Sequence, residues 1–258
     1  MLVGTSHPGN VGAAARAMRA MGLRRLVLAA PRDPQVCAHP ETIARASRAD
    51  DVLAAARIVP SLTQALADRT LAIAVSAETR EFGPLAQTPE ACVRLARDEL
   101  AADTAHRVSF VFGAERTGLS IGEVGLCQAL CSIPGETDYQ SLNLAQAVQV
   151  IAYCLRAQAA ETEATQATLA AADTAAAVAA PGATTAPASP HATQAQVEAL
   201  YVHLERALTG IGFLDPRRPK KLMPRLRRLF ARARLETEEV AILRGICTRI
   251  ERLTRASR

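Results

Sequence analysis

The chain reads as an α/β protein: a mostly parallel sheet with helices on both faces, followed by a small basic α-helical module. Three observations carry this. Short strand-forming runs at 26–30, 71–75 (LAIAV), 108–112 (VSFVF) and 130–133 alternate with helical stretches. The runs are apolar at nearly every position, the pattern of strands covered on both faces. After residue 156 the composition shifts to Ala, Thr, Gln and Pro, and basic residues concentrate beyond that shift.

Residues 1–4 form at most the stub of a first strand, so either the start lies upstream of Met1 or one edge of the sheet is incomplete. The turn formers TSHPGN at 5–10 read as a loop. VGAAARAMRAM at 11–21 follows as an Ala-rich helix that packs closely on its neighbours, and Gly22 ends it. Pro31, Pro34 and Pro40 punctuate an irregular stretch before residues 44–56 return to helical composition. A short helix at 62–67 precedes the 71–75 strand, which ends in Ser76-Ala77, and residues 89–100 are helical, with Pro89 where its missing N–H costs nothing.

The 108–112 strand runs into Gly113, and a glycine at the carboxyl end of a strand lets a ligand approach the backbone. A short helix at 122–127 and the 130–133 strand lead to Pro134-Gly135, then to a polar loop ending at Gln140. Beyond it Leu142, Ala145, Val148, Ile151 and Ala152 recur at helical spacing, with Ser141 in the N-cap position. A capping Ser and the unpaired N–H groups of a first turn form a natural ligand edge. Residues 157–194 read as a linker with a helical first half, and residues 197–208, 222–234 and 238–253 as amphipathic helices. The expected organisation is therefore 1–156, a linker at 157–194, and a basic extension at 195–258.

The net charge of +5 is unevenly spread. Residues 1–195 carry 15 Arg against 18 acidic groups, a balance of −3, whereas residues 196–258 carry 15 Arg plus Lys against 7, a balance of +8. A localised basic module points to a polyanionic partner, nucleic acid above all. Arg225, Arg227, Arg228, Arg232 and Arg234 fall within ten positions with no acidic residue, and are the candidate phosphate contacts. The six cysteines are scattered. Only Cys127 and Cys131 lie close, with no second Cys/His pair to complete a zinc site, so buried free thiols and no metal are expected. No apolar run is long enough to span a bilayer, and a reducing cytoplasmic setting is expected.

The turn at Gly9–Gly12 lacks the G-x-G-x-x-G spacing and an acidic residue at the end of the following strand, and G-x-x-x-x-G-K-[ST] is absent. Dinucleotide and P-loop sites are thereby disfavoured. Three other words stand in order: N-x-G-x-x-A-R (Asn10, Gly12, Ala15, Arg16), F-G-x-E-x-x-G-L (Phe112, Gly113, Glu115, Gly118, Leu119) and I-P…S-L-N-x-x-x-A (Ile133, Pro134, Ser141, Leu142, Asn143, Ala147).

These words resemble the SpoU (TrmH) branch of the SPOUT RNA methyltransferases. The longer stretches TSHPGNVGAAARAMRAMGL, SLNLAQAVQVIAY, HLERALTGIGF and LRRLFARARLETEEVAILRGI are similar to bacterial members that methylate the ribose 2′-oxygen of cytidine or uridine at position 32 of the tRNA anticodon loop. The resemblance covers nearly the whole chain apart from the linker. It implies a deep trefoil knot in which residues 134–140 are threaded through a loop, S-adenosylmethionine bound by backbone groups there, and a homodimer. Val75, Ser76, Ala77, Gly113, Ile133, Gln140, Ser141 and Leu142 would contact the cofactor. Arg16 would be the catalytic residue, supplied across the dimer. Because a guanidinium stays protonated, its role is to clamp a phosphate and polarise the 2′-OH rather than to act as a base. Asn10 and Glu115 would organise that region, and Ser141 and Asn143 would contact cofactor or ribose. Gly4 stands where relatives carry an acidic residue, Ala114 where many carry a basic one, and Gln140 where a small polar residue is usual. The rival expectation is a non-catalytic RNA-binding protein on the same fold, or a 2′-O-methyltransferase for another tRNA or rRNA site.

Overall fold

The computed structural model describes residues 1–78, 81, 83–136, 141–173 and 189–256, without the side chains of 164–173 and 256. Seven strands form one parallel sheet: β1 (Leu2–Val3), β2 (Val27–Ala29), β3 (Arg57–Val59), β4 (Leu71–Val75), β5 (Ala86–Gln87), β6 (Val108–Phe112) and β7 (Ala129–Cys131). Their order is β3-β2-β1-β6-β4-β7-β5. The α/β class with helices on both faces stands as expected.

Alternation along each strand builds the two cores. Leu71 and Ile73 face one side with Leu2, Leu28 and Phe112. There they meet α1 (Pro8–Ala20), α2 (Pro40–Ala46), α3 (Asp50–Ala54), α5 (Pro89–Ala102) and the start of α7 (Leu144–Asp173). Ala72 and Ala74 face the other side with Val3, Val111 and Leu130, under α4 (Leu62–Leu66) and α6 (Ile121–Val124). Small residues on this second face let the covering elements approach the sheet closely. On the first face Gly12 does the same between helices, since a Cβ there would lie 2.1 Å from the Thr42 carbonyl oxygen.

Several details differ from the sequence reading. Helix α1 starts at Pro8, not at residue 11, because His7 Nδ1 accepts the Gly9 N–H at 3.2 Å and Pro8 fits the first turn. The helix expected over 44–56 is two, separated where Ser47 turns left-handed (φ 58°). Ser141 is not a cap. Helix α7 begins three residues later, after Asn143, whose Oδ1 accepts the Ala145 N–H at 2.9 Å and whose own N–H donates to Gln146 Oε1 at 3.1 Å. The same helix continues to Asp173, through the first part of the expected linker. The short strand β1 is interior, between β2 and β6, so it does not leave a sheet edge open. The segment expected to thread the knot includes 137–140, and much of the linker is 174–188; both lie outside the described residues.

The C-terminal module comprises α8 (Gln194–Gly210), α9 (Leu222–Ala233) and α10 (Thr237–Ala256), around a small core of Ala192, Leu200, Leu235 and Val240. It docks on the small-residue side of the sheet. The Gln194 N–H donates to the Arg69 carbonyl at 2.8 Å, the Ala195 N–H to that of Ala67 at 3.1 Å, and Gln128 Nε2 to Gln194 Oε1 at 2.6 Å.

A buried polar node joins module and sheet domain. The Glu99 side chain, 2% exposed, meets His191 Nδ1 at 2.8 Å and accepts from Arg234 Nη2 at 2.8 Å. His106 Nδ1 lies 2.9 Å from the Glu99 carbonyl, and its Nε2 accepts the His191 N–H at 3.1 Å. Glu99, His106 and His191 are grouped closely enough to hold a metal ion. With both His106 nitrogens engaged and a guanidinium on the carboxylate, the arrangement is that of a hydrogen-bonded latch.

Candidate functional site

The carboxyl ends of β4, β6 and β7 lie side by side, with Val75 paired to both Phe112 and Cys131. The chain leaving these ends borders a cavity of about 240 Å³. In an open parallel sheet this is where ligands bind. The β4 end contributes Val75, Ser76 and Ala77; the β6 end contributes Gly113; the β7 end contributes Ile133; and Ser141 and Leu142 close the wall beside α7. These are seven of the eight residues expected to hold the cofactor. Gln140 lies outside the described residues.

Local chemistry fixes these walls. Ser76 Oγ accepts the Glu78 N–H at 3.1 Å and thereby turns the chain after β4. Gly113 allows a close crossing of two backbone segments, since a Cβ there would lie 2.1 Å from the Gly118 carbonyl carbon. The walls combine apolar Val75, Ile133, Leu142 and Leu144 with polar Ser76 and Ser141. An adenosine-like ligand needs this pairing, with apolar faces for the base and hydrogen-bonding groups for the ribose.

Three of the five expected catalytic residues join in one hydrogen-bonded chain at the rim. Glu115 Oε1 accepts from Asn10 Nδ2 at 3.2 Å, and Asn10 Oδ1 accepts from Asn143 Nδ2 at 3.0 Å. Glu115 also accepts from the Ser6 and His7 N–H groups and the Ser6 hydroxyl. Partial burial pushes its carboxyl up, but its own and the Ser6 backbone N–H, the Asn10 amide and the His7 N–H outweigh this and hold it below the usual carboxylate range. It is a fixed anion that ties the start of α1 to the β6 loop. Ser141 lines the cavity itself. Arg16 is apart from the rest. It is exposed on α1, six residues beyond Asn10 or about 9 Å along the helix, and does not line this cavity.

Glu78, Arg116 and Thr117 also line the cavity and were not singled out from sequence. Arg116 and Thr117 occupy the unspecified positions of the F-G-x-E-x-x-G-L word, so that word was the available signal. The five candidate phosphate arginines divide. Arg234 is held by Glu99, and Arg227 grips Glu198 through both terminal nitrogens (2.5 and 2.8 Å) with its guanidinium 4.3 Å from the Tyr201 ring centre. Both are engaged within the fold because each faces a carboxylate that burial makes a better partner than water. Arg225 and Arg232 are exposed, and Arg228 donates to the Glu81 carbonyl at 3.3 Å. All six cysteines are free, four of them buried. No helix among the described residues is long and apolar enough to cross a membrane.

The second and third sequence words line one strand-end cavity of the parallel sheet, and the first joins its rim through Asn10. Residues 1–153 match the profile described as the SpoU rRNA Methylase family, and the chain belongs to that family. Residues 195–258 match the profile described as tRNA methyltransferase TrmJ, C-terminal domain. The TrmJ of Pseudomonas aeruginosa, a tRNA (cytidine/uridine/adenosine-2′-O-)-methyltransferase, is 40% identical over 99% of this chain and 94% of its own length. That of Yersinia enterocolitica, a tRNA (cytidine/uridine-2′-O-)-methyltransferase, is 38% identical over 98% of this chain and 90% of its own. The crystal structure of TrmJ from Z. mobilis superposes with a TM-score of 0.76 at 30% identity, covering 97% of each chain.

Proposed function

We propose that the protein methylates the ribose 2′-oxygen of a pyrimidine nucleotide in tRNA, cytidine or uridine at position 32 of the anticodon loop, using S-adenosylmethionine. The observation that carries this is the cavity at the ends of β4, β6 and β7, lined by the segments that the sequence words mark. The 2′-O-methyltransferase activity printed for relatives that align over nearly the whole chain supports the reaction type. The choice of position 32 rests on the sequence resemblance. Val75, Ile133 and Leu142 would hold the base of the cofactor, and Ser76 and Ser141 its polar groups. When bound, the cofactor supplies a sulfonium methyl open to attack by an oxygen nucleophile.

The protein's own part is positioning and charge. Glu115 is not the base, because its two oxygens already accept four hydrogen bonds. Asn143, fixed by Asn10 and by its capping bonds, presents the start of α7 to the ribose. Arg16 clamps the adjoining phosphate and polarises the 2′-hydroxyl. Since Arg16 stands outside the cavity of its own chain, the protein acts as a homodimer in which the second copy delivers this residue. The threaded trefoil at residues 134–140, a boundary near residue 156, phosphate contacts from Arg225, Arg228 and Arg232, and a cytoplasmic location belong to the same proposal.

The deciding experiment incubates the protein with methyl-labelled S-adenosylmethionine and bulk tRNA, then digests the product to nucleosides. Label in 2′-O-methylcytidine or 2′-O-methyluridine, mapped by nuclease to the anticodon loop, is expected. Cofactor and tRNA binding without label in any ribose would leave a non-catalytic RNA-binding protein as the better account.

A further inference from the structure

A second cavity, of about 540 Å³, lies between the C-terminal module and the sheet domain. Its floor is apolar, made by Pro84, Leu126, Pro224 and Ala231, with Ile121 at the edge. Ile121 is 74% exposed, a large apolar side chain left in water beside the opening. The rim is charged. Lys221 Nζ donates to Glu81 Oε2 at 2.8 Å and Arg228 Nη1 to the Glu81 carbonyl at 3.3 Å.

This cavity is a close neighbour of the strand-end cavity. Gly118 lines the first and Ile121 the second; Glu78 lines the first and Glu81 the second. Each pair is three residues apart, so a residue lining one cavity lies within about 11 Å, Cα to Cα, of a residue lining the other. An apolar floor under a cationic rim matches an unstacked nucleobase with its phosphate: the flat face packs on aliphatic carbon, and the phosphate meets the cations. Glu81 then marks where the anion sits: its carboxylate holds Lys221 until a phosphate replaces it, and its backbone carbonyl keeps Arg228 beside that place. An uncharged apolar partner would use the floor and leave that rim without purpose.

We propose that this cavity takes a second nucleotide of the substrate RNA, near the methylated one, with its base on the Ile121–Leu126 floor and its phosphate on Lys221 and Arg228. The proposal rests on the tRNA methyltransferase reading above. Its test uses the full-length protein, S-adenosylmethionine and a series of tRNAs, each with one abasic nucleotide in the anticodon loop. At one position beside the target, the abasic tRNA should show a KM about 10-fold higher with kcat unchanged, in the range for loss of one stacked base. Ala231→Trp, which fills the cavity, should raise the KM of intact tRNA by a similar factor and shrink the abasic penalty below about twofold. Ile121→Asp should do the same from an exposed position where folding is not at stake. A flat abasic series in an active wild-type enzyme, or a penalty that persists in both variants, overturns the pocket and leaves the function standing. Failure of the wild type to methylate any tRNA overturns both.

Discussion

At the scale of single residues, the site separates groups that hold shape from the one group assigned to the reaction. Glu115, Asn10 and Asn143 spend their hydrogen-bonding capacity on each other and on backbone N–H groups. Arg16 has no such assignment and sits on the open face of α1. Arg16→Ala should therefore lower kcat by about 10²- to 10³-fold, the usual cost of one transition-state donor, with cofactor affinity by calorimetry nearly unchanged. Arg16→Lys should fail almost as badly, because an ammonium cannot reproduce a planar two-point grip. Cofactor binding lost in Arg16→Ala would instead place this residue in the pocket or the fold. Glu115→Gln keeps the shape but removes the charge that holds the Ser6 and His7 N–H groups, so a loss of roughly 1–3 kcal/mol in stability is expected from chemical denaturation.

At the scale of elements, the cavity depends on one crossing that tolerates no side chain. A methyl group at residue 113 would meet the Gly118 backbone at 2.1 Å, and backbone cannot swing aside as a side-chain tip can. Gly113→Ala should weaken cofactor binding more than 10-fold in calorimetry while far-ultraviolet circular dichroism stays native, since strand-end loops move at less cost than the sheet; unchanged affinity would mean the crossing adjusts freely. This crossing was legible in part. A glycine after VSFVF announced close approach, though not that its neighbour would be Gly118. Strand β4 was readable because LAIAV is apolar on both faces. Strands β3 and β5, three and two residues long with exposed positions, give periodicity no length to act on. The α7 start was misplaced because Ser141 competed with Asn143, an equally good capping residue two positions on. The latch left no local trace, since Glu99 is 92 residues from His191 and 135 from Arg234.

At the scale of the whole molecule, the latch and the basic face make opposite demands on arginine. Burial pushes the Glu99 carboxyl up, but the Thr70 hydroxyl, Arg234 and His191 more than offset it, and the folded value lies below the ordinary 4.5. A carboxyl depressed by folding adds stability that is complete above its unfolded value and fades as pH falls through the folded one. Melting temperature should thus fall more steeply below about pH 4.5 in the wild type than in Glu99→Gln; parallel curves would remove Glu99 from the acid transition. Arg234→Ala strands a carboxylate that is 2% exposed, and breaking such a buried pair from one side costs about 3–5 kcal/mol. That loss should appear in melting and in release of the module, while the salt dependence of tRNA binding stays as in the wild type for protein still folded. Exposed Arg225 and Arg232 should behave in the reverse way. Arg225→Ala and Arg232→Ala, measured between about 50 and 200 mM salt, should each lower the slope of log K against log salt by roughly 0.7–0.9. The stability of Arg232→Ala should change by no more than about 0.5 kcal/mol. An Arg234→Ala protein that melts normally yet loses a unit of salt slope would reverse the assignment and put the Arg234 guanidinium on RNA instead of on Glu99.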